Sequence, residues 1–153
     1  MAAWAEVTAE RLLAAVEGAA PRLRAITDIA ASRRPAPSKW CPKEIIGHLL
    51  DSAANNLQRI VRAQLAPELV FPAYEQERWV AVQGYAEASW PELVELWLLQ
   101  NRRMAALIRR IPEEKRGTPC RIGSGAPVTL DFIAEDYVRH LLHHLAQIPG
   151  AGE

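Results

Sequence analysis

The chain has no excess charge of either sign: 18 lysines and arginines balance 18 aspartates and glutamates over 153 residues. Without surplus positive charge there is little to neutralise a phosphate backbone or hold an anionic lipid surface, so neither nucleic acid nor membrane is an expected partner. Cysteine is scarce. Cys41 and Cys120 stand far apart without a CxxC spacing, which excludes a disulfide framework and leaves two free thiols. No uncharged apolar run nears the roughly 18 residues of a membrane span. Glu6, Glu10 and Arg11 interrupt the early apolar stretch where a signal peptide would lie, and a cytoplasmic protein is expected. β-branched runs long enough for strands are missing, as are internal repeats and low-complexity tracts.

What is present is the composition of one ordinary globular domain spanning residues 1–153, half hydrophobic and about a quarter charged. Alanine, leucine, glutamate and arginine favour helix over most of it, and four long helices are expected. The first runs from about Thr8 to Ala30, with a kink or short break at Gly18 and Pro21. The second opens where Pro42 follows Cys41, with Glu44 placed to reach back to the cap, and ends near Leu65 before Pro67. Residues 67–88 form a long aromatic-rich connection holding a short helix over about 75–83. The third helix opens at a capping box, Ser89 to Glu92, and stops at Pro112. The fourth is capped by Thr129, with Asp131 in its first turn. The fold class is all-α, an antiparallel four-helix bundle whose connection order periodicity does not fix.

All four histidines fall in the second and fourth helices: His48 alone, then His140, His143 and His144. Residues four apart on a helix lie one turn above each other, so His140 and His144 can bite one cation, with His48 closing the site. At about 100° per residue, His140 and His144 border the arc of Ile133, Tyr137, Leu141, Leu145 and Ile148, whereas His143 points outward. His48 borders the arc of Ile45, Leu49, Ala53 and Ile60, on a polar stripe with Glu44, Asp51, Ser52, Asn55 and Arg59. Three protein ligands leave a zinc ion a fourth position for water or substrate. Glu44, Asp51 and Asp136 are the carboxylates close enough in sequence to orient the ligands or serve as a base. A ferritin-like di-iron centre needs paired Glu-x-x-His motifs, and Glu44 stands four residues before His48 instead.

The run from Trp40 to Asp51 (WCPKEIIGHLLD), the run from His140 to Ile148 (HLLHHLAQI), Arg59 and the stretch Trp79–Gln83 resemble the DinB/YfiT-like superfamily of metal-dependent enzymes over nearly the whole chain. The resemblance implies a four-helix bundle, commonly a homodimer, with zinc or nickel on His48, His140 and His144. Cys41 departs from the serine expected before Pro42. Relatives that use low-molecular-weight thiols suggest thiol-dependent S-transfer to a small electrophile, with Asn55, Arg59, Trp79 and Gln83 as pocket residues. A metal-dependent hydrolase and a non-enzymatic metal- or ligand-binding stress-response protein are the alternatives.

Overall fold

The structure is a computed structural model describing residues 2–151. Its elements in order are α1 (Ala3–Ala25), α2 (Asp28–Ala31), α3 (Pro42–Leu65), β1 (Leu69–Phe71), α4 (Gln76–Gln83), α5 (Trp90–Arg109), β2 (Pro119–Ile122), β3 (Val128–Thr129) and α6 (Leu130–Leu145). The four long helices close into a bundle in the cyclic order α1, α5, α3, α6. Leu12, Val16, Leu23, Ile46, Ile60 and Ile108 are fully buried between them. Each such side chain contributes about 1.5–3 kcal/mol of apolar burial.

Helix directions follow from side-chain pairs. Along the α1–α5 seam, Glu6 pairs with Arg109, Glu17 with Arg102 and Arg24 with Glu95, so those helices are antiparallel. These pairs are half-exposed and fix register more than stability, at about 0–1 kcal/mol each. Arg22 near the end of α1 donates to the Ala151 carbonyl just past α6, so α1 and α6 run the same way. His48 near the start of α3 meets His140 near the end of α6, so these two are antiparallel. Hence α3 and α5 are parallel neighbours, not the antiparallel consecutive pair of an up-down bundle. A parallel return needs a long crossover, which is the physical reason for the connection between Leu65 and Trp90. It runs back along α3: Gln83 and Tyr85 both reach Asp51.

Three further expectations are corrected. First, α1 passes through Pro21 without a break, and the interruption falls at Ile26 and Thr27; Thr27 caps α2 by accepting from Ala30 N. Second, a small sheet in the order β1-β2-β3 pins the crossover to the segment before α6. β1 and β2 are parallel with Leu69 opposite Cys120, and β2 and β3 are antiparallel with Cys120 opposite Val128. Third, Thr129 makes no side-chain cap; its hydroxyl goes to the Asp131 carboxylate, which takes the Phe132 N–H at 2.8 Å.

At the other end, Asp28 joins three helices, accepting from Trp90 N at 3.0 Å and from Lys43 Nζ at 2.9 Å. The Trp90 N–H first, and then the Lys43 ammonium, hold its carboxyl below the usual range. That knot fixes the starts of α3 and α5 against α2, at the end of the bundle where the histidines lie.

Candidate metal centre

Pro42 at the first position of α3, behind Cys41 in extended backbone, sets where the helix begins and therefore which way His48 points. Glu44 reaches back to the cap side chain, accepting from Cys41 Sγ at 3.3 Å, and also pairs with Arg34 Nη2 at 2.7 Å. One turn further, His48 is completely buried. On α6, His140 and His144 are half-buried and His143 is exposed.

The ligand atoms of His48, His140 and His144 all lie within 4.8 Å of one another. His48 Nε2 and His140 Nε2 are 3.0 Å apart, and the ring centroids of His144 stand 4.5 Å from both others. Two nitrogens bound to one tetrahedral zinc at about 2.1 Å would be ~3.4 Å apart, so small side-chain shifts suffice. Burial, and then the charges of the neighbouring imidazoles, push His48 down to about 3 and His140 down to about 4. Burial lowers His144 as well. All three are therefore neutral at neutral pH, the form that ligates a metal. His48 Nδ1 is buried without a partner, so packing alone sets that ring's orientation. The donor set fits a divalent cation.

Around the cluster stand groups that sequence reasoning gave no role. Gln147 Oε1 lies 2.9 Å from His144 Nδ1, a contact that directs the other ring nitrogen to the cluster. Trp40 packs over His48 at 5.0 Å and His144 at 6.5 Å between ring centroids. Tyr85 reaches Asp51 Oδ1 at 2.8 Å and its ring packs closely against Gly47. Only the i+3 spacing of Gln147 from His144 offered a sequence signal for any of these.

A cavity of about 270 Å³ opens beside His140, lined further by Ser52, Asn56, Arg59, Tyr74 and Asp136 among others. Arg59 lines this cavity. Asn55, Trp79 and Gln83 are not among the lining residues. Asn55 Nδ2 is spent on the Asp51 carbonyl, Trp79 packs at a tilt against Tyr74 with ring centroids 4.9 Å apart, and Gln83 Nε2 donates to Asp51 Oδ1 at 2.7 Å. Asn56, one residue on, faces the cavity instead. Of the three carboxylates, Glu44 is engaged as described and Asp51 is buried with one oxygen held by Gln83 and Tyr85. Burial raises the Asp51 carboxyl above its usual range. Asp136 lines the cavity, paired with Arg139. Cys41 and Cys120 are completely buried, and burial pushes the Cys120 thiol up to about 11, which does not suit either as a nucleophile.

A family model described as the DinB superfamily matches residues 4–148. Among solved structures, the chain is similar to YfiT from Bacillus subtilis, described as a probable metal-dependent hydrolase with an unusual four-helix bundle topology. The TM-score is 0.78 at 20% identity, covering 94% of this chain and 83% of that one, a likeness that speaks to the fold. No curated protein matches the sequence. Among the described residues, no helix is long and apolar enough to cross a membrane.

Proposed function

The chain belongs to the DinB superfamily, and from that premise we propose that it is a metal-dependent enzyme acting on a small molecule, with His48, His140 and His144 holding one divalent cation, zinc or nickel. The carrying observation is the convergence of three neutral imidazoles from α3 and α6 at the edge of a cavity. When bound, such a cation acts as a Lewis acid that lowers the pKa of a thiol or water at its open position.

The nucleophile we propose is a low-molecular-weight thiol, directed at a small electrophile. Neutral ligands leave the site's positive charge uncompensated, which favours an anionic fourth partner, and a thiol near pKa 8.5 surrenders its proton more readily than water. Glu44 is tied to Arg34 and Cys41, and Asp51, with one oxygen held by Gln83 and Tyr85, is buried outside the cavity lining, so a nucleophile that needs no protein base suits the site. His140 would sit at the mouth of the cavity, Trp40 would shield the cluster's outer side, and Gln147 would hold the His144 ring.

Hydrolysis is the second reading. Asp136 supports it, as the carboxylate that shares the cavity with His140 and can take a proton. The description of YfiT points the same way.

Elemental analysis of protein purified without a histidine tag or chelator tests the site: about one zinc or nickel per chain, lost on His48→Ala, His140→Ala or His144→Ala. No metal after reconstitution would sink the reading. Turnover of an electrophile only with added thiol supports transfer, whereas ester or amide cleavage without thiol supports hydrolysis. The homodimer and cytoplasmic location belong to the same proposal, and sedimentation and fractionation check them.

A further inference from the structure

We infer, taking the cavity beside His140 as the substrate site just proposed, that Arg59 grips a compact oxyanion on the substrate, a carboxylate or a phosphate. His48, Ser52, Asn56 and Arg59 follow one another at i, i+4, i+8 and i+11, a single stripe along α3 that leads from the histidine cluster into the cavity. The stripe spans about 16 Å of helix rise between His48 and Arg59. A small elongated molecule held by Arg59 would therefore present its other end near His140.

Among the described residues, Arg59 is a cation with no ion-pair partner: it makes no hydrogen bond or salt bridge, and its Nε is buried without a partner. The guanidinium lies 5.7 Å from the Phe71 ring centroid, which supports its plane and supplies no anion. An unpaired, partly buried charge costs stability, so its presence calls for a compensating ligand. The carboxylate on the wall, Asp136, is paired with Arg139; it attracts Arg59 through space but makes no ion pair with it, so the guanidinium's donors stay free for a ligand. Tyr74, on the same wall, keeps its proton because burial raises the phenol, and its hydroxyl can donate. A planar guanidinium fork matches carboxylate or phosphate with two parallel hydrogen bonds.

The test is calorimetric titration of chelator-stripped protein with succinate and, separately, with inorganic phosphate, so that no bound metal can capture the anion. Saturable binding of either is expected, and the tighter of the two identifies the source. Arg59→Gln should weaken it at least about tenfold, Arg59→Lys should weaken it less, and Arg62→Gln, the same charge loss on the same helix outside this cavity, should leave it unchanged. Binding that survives Arg59→Gln, or no saturable binding of either probe to the wild-type chain, overturns the inference. Should Arg59→Gln fail to fold, Arg59→Lys decides by the same comparison. Metal content of the Arg59 variants, expected to stay at wild-type level, separates failure here from failure of the metal centre: anion binding can be absent while metal is retained, and the reverse.

Discussion

Gln147 Oε1 stands 2.9 Å from His144 Nδ1, one turn further along the chain, and holds that ring by its outer nitrogen. A ligating imidazole that donates its other N–H is fixed in tautomer and angle and becomes a better base. Gln147→Leu keeps the bulk and removes the acceptor. Metal affinity should fall about tenfold, measured by competition with a chromophoric chelator, while Gln147→Glu should preserve or tighten it. Equal affinity in the leucine variant would remove Gln147 from the centre.

Acid should weaken the metal-free fold before the carboxylates titrate. Burial puts folded-state His48 at about 3 and His140 at about 4, against about 6.5 when unfolded. Between those values the unfolded chain binds protons that the folded chain refuses, so stability rises with pH and is lost on acidification below about 6.5. His48 alone contributes a slope of up to about 1.4 kcal/mol per pH unit. Urea midpoints of stripped protein at pH 7.5, 6 and 5 should decline, and His48→Gln should flatten the decline. A midpoint unchanged from pH 7.5 to 5 would contradict the neutral, buried cluster.

Most of the helical frame was legible because its signals are local. Pro42 behind Cys41, Ser89 before Trp90 and Pro91, and apolar residues at helical spacing mark α3 and α5 without reference to a neighbour. The histidine pair on α6 is legible for the same reason. What was hidden depends on partners distant in sequence. Strands of two to four residues are too short for alternation to register, and β1 exists because β2 lies beside it. Helix direction is set by a crossover whose course no periodicity encodes. Asn55 and Asn56 lie on the same polar side of α3, and only the position of α6 decides that Asn56 meets the cavity. Trp40 reaches the site from a loop and Tyr85 from a single 3-10 turn, where wheels have nothing to say.

A buried polar pair stiffens the bundle beneath the cavity. Tyr137 Oη on α6 donates to Asn101 Oδ1 on α5 at 2.5 Å, and Asn101 Nδ2 donates to the Trp97 carbonyl one turn back in α5 at 2.8 Å. Tyr137→Phe leaves the Asn101 oxygen buried without a donor, at a cost of about 1–3 kcal/mol. Chemical denaturation should show that loss, and metal affinity should change little. A variant as stable as wild type would mean that water replaces the phenol.

Gly47 is a packing requirement of the crossover. A Cβ at this position would lie 2.1 Å from Tyr85 Cδ2, inside the ring that rests on α3. The same ring carries the hydroxyl that holds Asp51, one turn past Gly47 and next to the His48 turn, so the glycine lets the returning chain buttress the start of the helix that carries His48. Gly47→Ala should gain helix propensity of up to about 1 kcal/mol and lose more than that to the clash, for a net destabilisation of about 1–3 kcal/mol. The two terms separate in a double-mutant cycle. With Tyr85→Ala already in place the clash is gone, and Gly47→Ala should then be neutral or stabilising, giving a strong coupling between the positions. Additive losses would mean that the crossover yields freely, and that the contact does not hold α3.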